Sequence, residues 1–428
     1  MRFPFRTTLQ IAAHLIKQKL FRVPRFAMVL QLEPLHTCNL ACTGCGRIRE
    51  YSTKLSDRMS LEACLDAAQQ CNAPMVSVCG GEPLLYPELE LLVEGLLKQK
   101  RIVYLCTNGL LLRQKLKEYM AAAYSEEMEP LIKTLISESL ISEEDAAKIR
   151  QGNSQPVIRP HWRVYWNIHL DGMEKTHDMI VERKGVFREA IAGIRLAKAL
   201  GFQVATNATV FCETDMDELE RLLEYLSWLG VDGHTISPGY DYDAAKVDMV
   251  KRLGKNPDDF YLTRKETRKK FKDFQRWAAK FNLYGTVVYQ EFLVGKRDLS
   301  CTAWAIPTVT PQGWRSPCYM LADTHYPTYK ELLEKTDWNK YGVTLKKVRD
   351  PRCANCMVHC GFDPSGALGV DARPGDTWKN FRFNFGARPA PCKEGAYINP
   401  FNADSTDQEQ SNSPEAPEKQ STNKNKNV

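Results

Sequence analysis

Met28-Val-Leu-Gln-Leu-Glu-Pro-Leu-His-Thr-Cys38-Asn-Leu-Ala-Cys42-Thr-Gly-Cys45 decides how the rest of the chain is read. An apolar run leads into three thiols at CxxxCxxC spacing. A 4Fe–4S cluster has four irons, each ordinarily held by one thiolate. Cys38, Cys42 and Cys45 on one short loop therefore hold three irons and leave the fourth open for chemistry. The plainer alternatives are a zinc site or a set of buried thiols. Structural zinc sites show four ligands, often as two CxxC pairs, and this loop offers neither.

The surrounding chain of 428 residues is long enough for two or three domains, and its 43% apolar content suffices for a large core. Lys and Arg number 58 against 52 Asp and Glu. The net charge of +6 is mild for this length and speaks against a nucleic-acid partner. Fourteen cysteines without a secretory signal pattern point to a reducing, cytoplasmic setting and to metal chemistry rather than a disulfide framework. No apolar run approaches the ~18 residues of a membrane span.

Residues 1–26 form a basic amphipathic segment. Leu9, Ala12, Ala13, Ile16 and Leu20 recur at helical spacing, surrounded by Arg2, Arg6, Lys17, Lys19, Arg22 and Arg25. Such a helix either lies on an anionic membrane surface, here the inner face, or packs on the protein's own core. At the other end, residues 401–428 are rich in Ser, Asn, Gln, Glu, Lys and Pro. They cannot bury enough apolar surface to offset ordering, so a disordered tail is expected.

Between these ends, short apolar segments alternate with helical patterns. The strand candidates are 27–33, 75–79, 102–107, 166–170, 203–210 and 234–237; Ser60 is placed to cap a helix over 61–70, and further helices are expected over 88–99, 187–200 and 216–229. Alternation of this kind predicts a parallel sheet, whose ligands gather at the carboxyl ends of the strands. A core over 27–297 follows, interrupted by a solvated helical insertion at about 111–160. From residue 298 to 400 glycines, prolines and cysteines replace periodic helices, which reads as a second, metal-ordered domain.

The polar motifs sit at the strand ends. Gly80-Gly81-Glu82-Pro83 follows the second strand: two glycines permit close approach to backbone, and Glu82 offers an anion for an ammonium group. Thr107-Asn108-Gly109 closes the third, His169-Leu-Asp171-Gly172 ends the fourth, Thr206-Asn207 lies in the fifth and Ser237-Pro-Gly239-Tyr240 follows the sixth. Each alone is ordinary turn chemistry; their shared position favours ligand contacts.

The CxxxCxxC loop resembles that of the radical S-adenosylmethionine (SAM) superfamily. A closer resemblance is to the hopanoid-biosynthesis radical SAM family, the adenosyl hopene transferases (HpnH). It is carried by Glu33-Pro-Leu-His-Thr-Cys38-Asn-Leu-Ala-Cys42, Gly44-Cys45-Gly46, Tyr104-Leu-Cys106-Thr-Asn108, Ile168-His-Leu-Asp171-Gly172, Ile236-Ser-Pro-Gly239-Tyr240, Glu291-Phe-Leu-Val-Gly-Lys-Arg-Asp298 and Cys353-Ala-Asn-Cys356-Met-Val-His-Cys360-Gly. These span roughly residues 5–370; the insertion looks longer than the family pattern and the tail is additional.

The resemblance implies SAM held by Gly80, Gly81, Glu82, Pro83, Asn108, His169, Asp171, Asn207 and Ser237. It implies transfer of the 5′-deoxyadenosyl group to the exocyclic alkene of hopene (diploptene), giving adenosylhopane. Addition leaves a tertiary carbon radical that must gain hydrogen. Cys106, at the end of the third strand, is the candidate catalytic donor, although a buried cysteine is more often a small hydrophobe. Cys301, Cys318, Cys353, Cys356 and Cys360 resemble an auxiliary-cluster domain, with an iron–sulfur cluster, zinc and no metal all left open. Cys64, Cys71, Cys79, Cys212 and Cys392 read as packing residues.

The expected fold is thus α/β, a partial (β/α)6 TIM-like barrel with a cysteine-rich C-terminal domain. Its cofactors are a 4Fe–4S cluster and SAM, its substrate a hopene, its electron donor a flavodoxin or ferredoxin. The rivals are a peptide- or small-molecule-modifying radical SAM enzyme with an auxiliary cluster, and a non-catalytic interaction protein with a zinc module.

Overall fold

Parallel strands buried on both faces need near-continuous apolar runs, and this chain supplies them. The computed structural model describes residues 3–239, 242–386 and 389. Tyr240, Cys392 and the expected tail at 401–428 lie outside the described residues. The strands are β1 (Val29–Leu32), β2 (Met75–Val78), β3 (Ile102–Thr107), β4 (Val164–His169), β5 (Gln203–Val210) and β6 (Gly233–Pro238). They pair in parallel in sequence order, each next to the one before. Helices Leu61–Cys71, Leu89–Lys98, Val186–Ala199 and Met216–Trp228 lie between them in the chain. Ser60 starts the first by accepting from the Ala63 amide, and Asp215 starts the last by accepting from Asp217 and Glu218.

The insertion forms helices Leu112–Ala122, Glu129–Ser137 and Glu143–Gln151, the last begun by a Ser142–Asp145 capping box. Beyond residue 298 the chain adds β7 (Thr308–Thr310), β8 (Gly313–Pro317) and β9 (Ala322–Tyr326) to the same sheet. β7 runs parallel to the outer side of β1, and β8 and β9 follow antiparallel. The cysteine-bearing segment therefore continues the sheet that carries the CxxxCxxC loop. The fold is α/β, a six-stranded parallel partial barrel with a cysteine-bearing C-terminal region.

Alternation along the strands sorts the barrel interior by height. At the amino-terminal end, Met28, Met75, Tyr104, Tyr165, Ala205 and Tyr284 form one apolar cluster. Phe3 closes it from below, its ring 5.8, 6.0 and 4.2 Å from those of Tyr104, Tyr165 and Tyr284. Two residues further along β2, β3, β4 and β5 the same face turns polar, at Ser77, Cys106, Asn167 and Asn207, with Asn108 and His169 beyond Cys106 and Asn167. The floor excludes water, and the polar mouth opens where the strand-end motifs meet.

Helix Phe5–Leu20 packs on this floor. Thr7 Oγ1 lies 3.0 Å from Tyr165 Oη, and Gln10 bonds the Lys100 carbonyl at 2.7 Å. Its buried residues are Thr7, Thr8 and Ile11, however, not the expected apolar stripe, because barrel contact selects the face that meets Tyr165. Among the described residues no helix is long and apolar enough to cross a membrane.

Truncating Phe3 to Ala removes the ring that fills the floor. We expect a loss of about 3 kcal/mol in urea unfolding. A loss below about 0.5 kcal/mol, the range of an ordinary surface change, would show that the floor does not depend on it.

Candidate active site

The loop after β1 brings Cys38, Cys42 and Cys45 to the mouth of the barrel, all three free and half-buried. It is held by its carbonyls. Arg49 donates to the carbonyls of Cys42 at 3.1 Å, Cys45 at 2.9 Å and Ala41 at 2.9 Å, and Asp248 anchors Arg49 at 2.6 Å. The Thr43 amide bonds the Ile180 carbonyl at 2.9 Å, and the Thr43 hydroxyl bonds Glu182 at 2.8 Å. Gly44, at φ +78°, passes where a Cβ would lie 2.8 Å from the Phe260 ring.

Burial pushes the Cys38 thiol up to about 12 and raises Cys42 well above its usual value, with Cys45 and Cys38 the next contributors at Cys42. The three sulfurs therefore share one electrostatic neighbourhood, and burial keeps Cys38 and Cys42 protonated until a metal replaces the protons. Three thiols on one clamped loop, with a polar barrel mouth beside them, fit a cluster with one open iron.

The Gly80-Gly81 pair serves the loop directly. A Cβ on Gly80 would lie 2.3 Å from the Leu35 carbonyl oxygen, and one on Gly81 would lie 2.0 Å from that of Thr37. What the glycines admit here is the protein's own backbone, with Gly81 and Glu82 amides bonded to Leu35 and Thr37 at 3.0 and 2.8 Å. Glu82 is buried and accepts from the Leu84 amide at 3.1 Å, the Thr107 hydroxyl at 2.7 Å and the Asn108 amide at 2.9 Å. Burial raises its pKa to about 7 against those three bonds. Its carboxylate thus ties the end of β2 to the end of β3. Pro83 opens the buried turn that follows.

Asn108 reaches from β3 to the loop, donating to Asn39 Oδ1 at 2.7 Å with the same nitrogen 4.0 Å from Cys38 Sγ. One rung below, Cys106 sits between Ser77 Oγ at 3.2 Å and Asn167 Nδ2 at 3.3 Å. Burial raises its pKa, so the sulfur carries its hydrogen at neutral pH. On the far wall His169 lies between two oxygens, Asp171 Oδ2 and Asn207 Oδ1, each at 2.7 Å. Asp171 is fixed in turn by the Thr209 amide at 2.7 Å. Ser237, at the end of β6, bonds His359 Nδ1 at 2.6 Å and joins the mouth to the cysteine-bearing segment.

Cys301, Cys318, Cys353, Cys356 and Cys360 line a second cavity of about 380 Å³. Burial raises all of the first four, to about 11 at Cys353 and about 12 at Cys356, and neighbouring thiols add to each rise except that of Cys318. Cys360 packs with Ile306 and Val358. Among the described residues no three Cys, His, Asp or Glu are gathered tightly enough to chelate a single ion. Cys64 and Cys71 are buried packing residues, whereas Cys79 and Cys212 are half-buried.

Sequence reasoning missed Arg49, Asn39, Ser77 and Asn167, and the buried Glu33, His36 and Arg47 beneath the loop. Period-two alternation from Cys106 and His169 was the one signal that could have found Asn167. The arginines carry none.

The His169–Asp171 pair predicts a pH dependence. Burial disfavours the imidazolium, but the charge and hydrogen bond of Asp171 and the bond to Asn207 raise its pKa to about 9. The unfolded value is about 6.5. The pair's stabilisation is complete below about pH 6.5 and is lost as pH rises through about 9. The melting-temperature gap between the protein and His169→Gln should therefore close between those pH values. A gap constant across that window would remove the charged pair.

Residues 32–129 match the family described as the Radical SAM superfamily, whose members use a 4Fe–4S cluster and SAM. Residues 234–380 match a domain of unknown function, DUF3463. No curated protein matches the chain. Among solved structures it is similar to anSMEcpe with bound AdoMet, at 17% identity over 83% of this chain and 96% of that one, TM-score 0.47. It is also similar to Streptococcus suis SuiB bound to precursor peptide SuiA, at 15% identity over 72% of this chain, TM-score 0.43. The chain spans 63% of the length of SuiB. TYW1 with a lysine-pyruvate adduct is similar at 15% identity over 57% of this chain and 72% of that one, TM-score 0.35. It is residues 32–129, which carry the three-thiol loop and the strands behind it, that match the radical SAM superfamily.

Proposed function

We propose that the chain adds a 5′-deoxyadenosyl radical to the exocyclic alkene of hopene, forming adenosylhopane, with Cys106 as the hydrogen donor. Cys38, Cys42 and Cys45 would hold the cluster, and the Gly80–Pro83 turn, Asn108, His169, Asp171, Asn207 and Ser237 would surround SAM. When bound, the cluster and SAM together supply the radical, at the expense of one electron from a flavodoxin- or ferredoxin-type donor. The observation that carries the reading is the thiol of Cys106. It lies on the same strand face as Asn108, which touches the cluster loop, and one rung above a dry floor.

Addition forms one carbon–carbon bond and leaves an unpaired electron on the tertiary carbon. Cys106 then gives up its S–H hydrogen atom to that carbon and becomes a thiyl radical. One further electron and one proton restore the thiol. Ser77 and Asn167 hold the sulfur in place throughout. Burial, which keeps Cys106 protonated, keeps it in the form that has a hydrogen atom to give.

A second reading has its own support. A cavity lined by five cysteines is not required for a single addition. It fits a radical SAM enzyme with an auxiliary cluster that modifies a peptide or small molecule; the structures of SuiB and of anSMEcpe include peptide complexes.

Anaerobic reconstitution with SAM, reductant and diploptene, followed by mass spectrometry, tests the first reading. SAM cleavage without an adenosylhopane adduct would favour the second. Replacing Cys38, Cys42 and Cys45 together by Ala should abolish SAM cleavage; survival of cleavage would sink the assignment. Iron should fall from about eight to about four per chain in that variant if the second cavity also holds a cluster. Cys106→Ala should still cleave SAM and attack the alkene, but adenosylhopane should give way to an alkene-containing adduct. Normal adenosylhopane per SAM cleaved would rule out the thiol as obligatory donor.

A further inference from the structure

The amino-terminal helix Phe5–Leu20 faces the wrong way for a helix that only packs on its own barrel. It buries two threonines and Ile11 and turns its apolar stripe outward. Phe5 is 65% exposed, Leu9 52%, Ile16 58% and Leu20 76%, and Phe21 beyond it is also exposed. Phe5, Leu9, Ile16 and Leu20 are spaced four, seven and four residues apart, one or two helical turns each, and form one face.

A second element joins that face. In helix Asp376–Phe385 the rings of Trp378, Phe381 and Phe385 stand in a row, 5.4 and 4.9 Å apart. Phe385 meets Phe5 at 5.9 Å. Trp378 and Phe381 are exposed. The aromatic row and the helical stripe thus make one apolar surface, larger than the scattered exposed side chains of an ordinary monomer.

Its rim is basic. Residues 2–26 contain six Lys and Arg and no Asp or Glu. Arg6, Lys17, Lys19 and Arg22 are exposed on the helix and just after it. A second copy on a two-fold axis would set these cations against themselves, since such an interface places the same patch on both partners. An anionic bilayer satisfies both parts: lipid chains take the apolar side chains, and headgroups take the cations.

We propose that this face docks the protein on an anionic membrane surface, with Phe5, Leu9, Ile16, Leu20, Trp378 and Phe381 entering the headgroup boundary. It does not depend on the hopene reading, although an apolar polycycle dissolved in the bilayer would be delivered there.

Deleting residues 1–25 would not test this, because it would also remove Phe3, Thr7 and Ile11 from the barrel floor. Outward-facing substitutions avoid that. The full-length protein should float with phosphatidylcholine vesicles containing about one third phosphatidylglycerol at least about tenfold better than with phosphatidylcholine alone, and high salt should reverse the gain. The double variant Leu9→Asp, Ile16→Asp should lose about tenfold in bound fraction while keeping its melting temperature and its SAM cleavage. Equal flotation of protein and variant, or equal flotation on both vesicles, would overturn the proposal. A photocrosslinker in place of Leu9 identifies the occupant. Capture of lipid supports the proposal, and capture of a second copy or of residues 387–428 in the presence of vesicles overturns it. SAM cleavage in vesicle-free buffer reads the enzyme assignment separately, so either can fail alone.

Discussion

The ion pair between Glu33 and Arg47 holds the two cysteine-bearing regions in one frame. Glu33 directly follows β1 and is fully buried; Arg47 follows the cluster loop and is buried too, with 3.0 Å between Nε and Oε1. Burial alone would raise the Glu33 carboxyl, but Arg47, His36 and Arg315 bring it below its usual value. Arg47 also bonds Glu50 at 3.1 Å and the carbonyl of Tyr319, over whose ring it lies at 3.9 Å. Tyr319 is the neighbour of Cys318, and Arg315, paired with Glu50 at 2.9 Å, bonds the Cys318 carbonyl at 3.2 Å. Such a network is weak evidence for stability, because desolvation offsets attraction, whereas losing one partner costs about 3–5 kcal/mol. Its value is positional. It fixes Cys45 and Cys318 relative to the end of β1 at a point where no secondary structure could.

Above that frame the barrel is graded from dry to polar. Phe3 and the tyrosines close the amino-terminal end, so any reactive species formed at the mouth meets ordered side chains below and not solvent. Cys106 sits at the boundary between the two regimes. A thiol there is buried enough to stay protonated and lies one rung below Asn108, which reaches the loop. The same alternation that buries Tyr104 places Cys106 and Asn108 above it on one face of β3.

The cysteine-bearing segment belongs to this architecture through β7, which pairs with β1 directly behind the cluster loop. The bond from Ser237 to His359 closes the connection at the opposite edge. The cysteine-bearing segment is therefore fastened to both edges of the six-stranded parallel sheet.

Much of this was legible before any coordinates. The three-thiol loop, the six strands and the position of most of the polar motifs at strand ends follow from local spacing, because strand and helix periods are properties of neighbouring residues. The long insertion and the run of cysteines after residue 298 were visible for the same reason. What those residues do was not. Gly80 and Gly81 read as an opening for a ligand, and folding also lays the backbone of Leu35 and Thr37 against them; Glu82 read as an anion for an ammonium group and is also bonded to β3. Arg47 and Arg49 carried no signal, since an arginine acquires its meaning from the carboxylates and carbonyls that folding brings to it. The amino-terminal stripe was recognised, but only the contact of Thr7 with Tyr165 shows that it faces outward. The sequence by itself determined the elements and the cluster loop, which depend on short-range pattern. The tertiary structure alone decided partners, burial and facing, which depend on contacts between residues far apart in the chain.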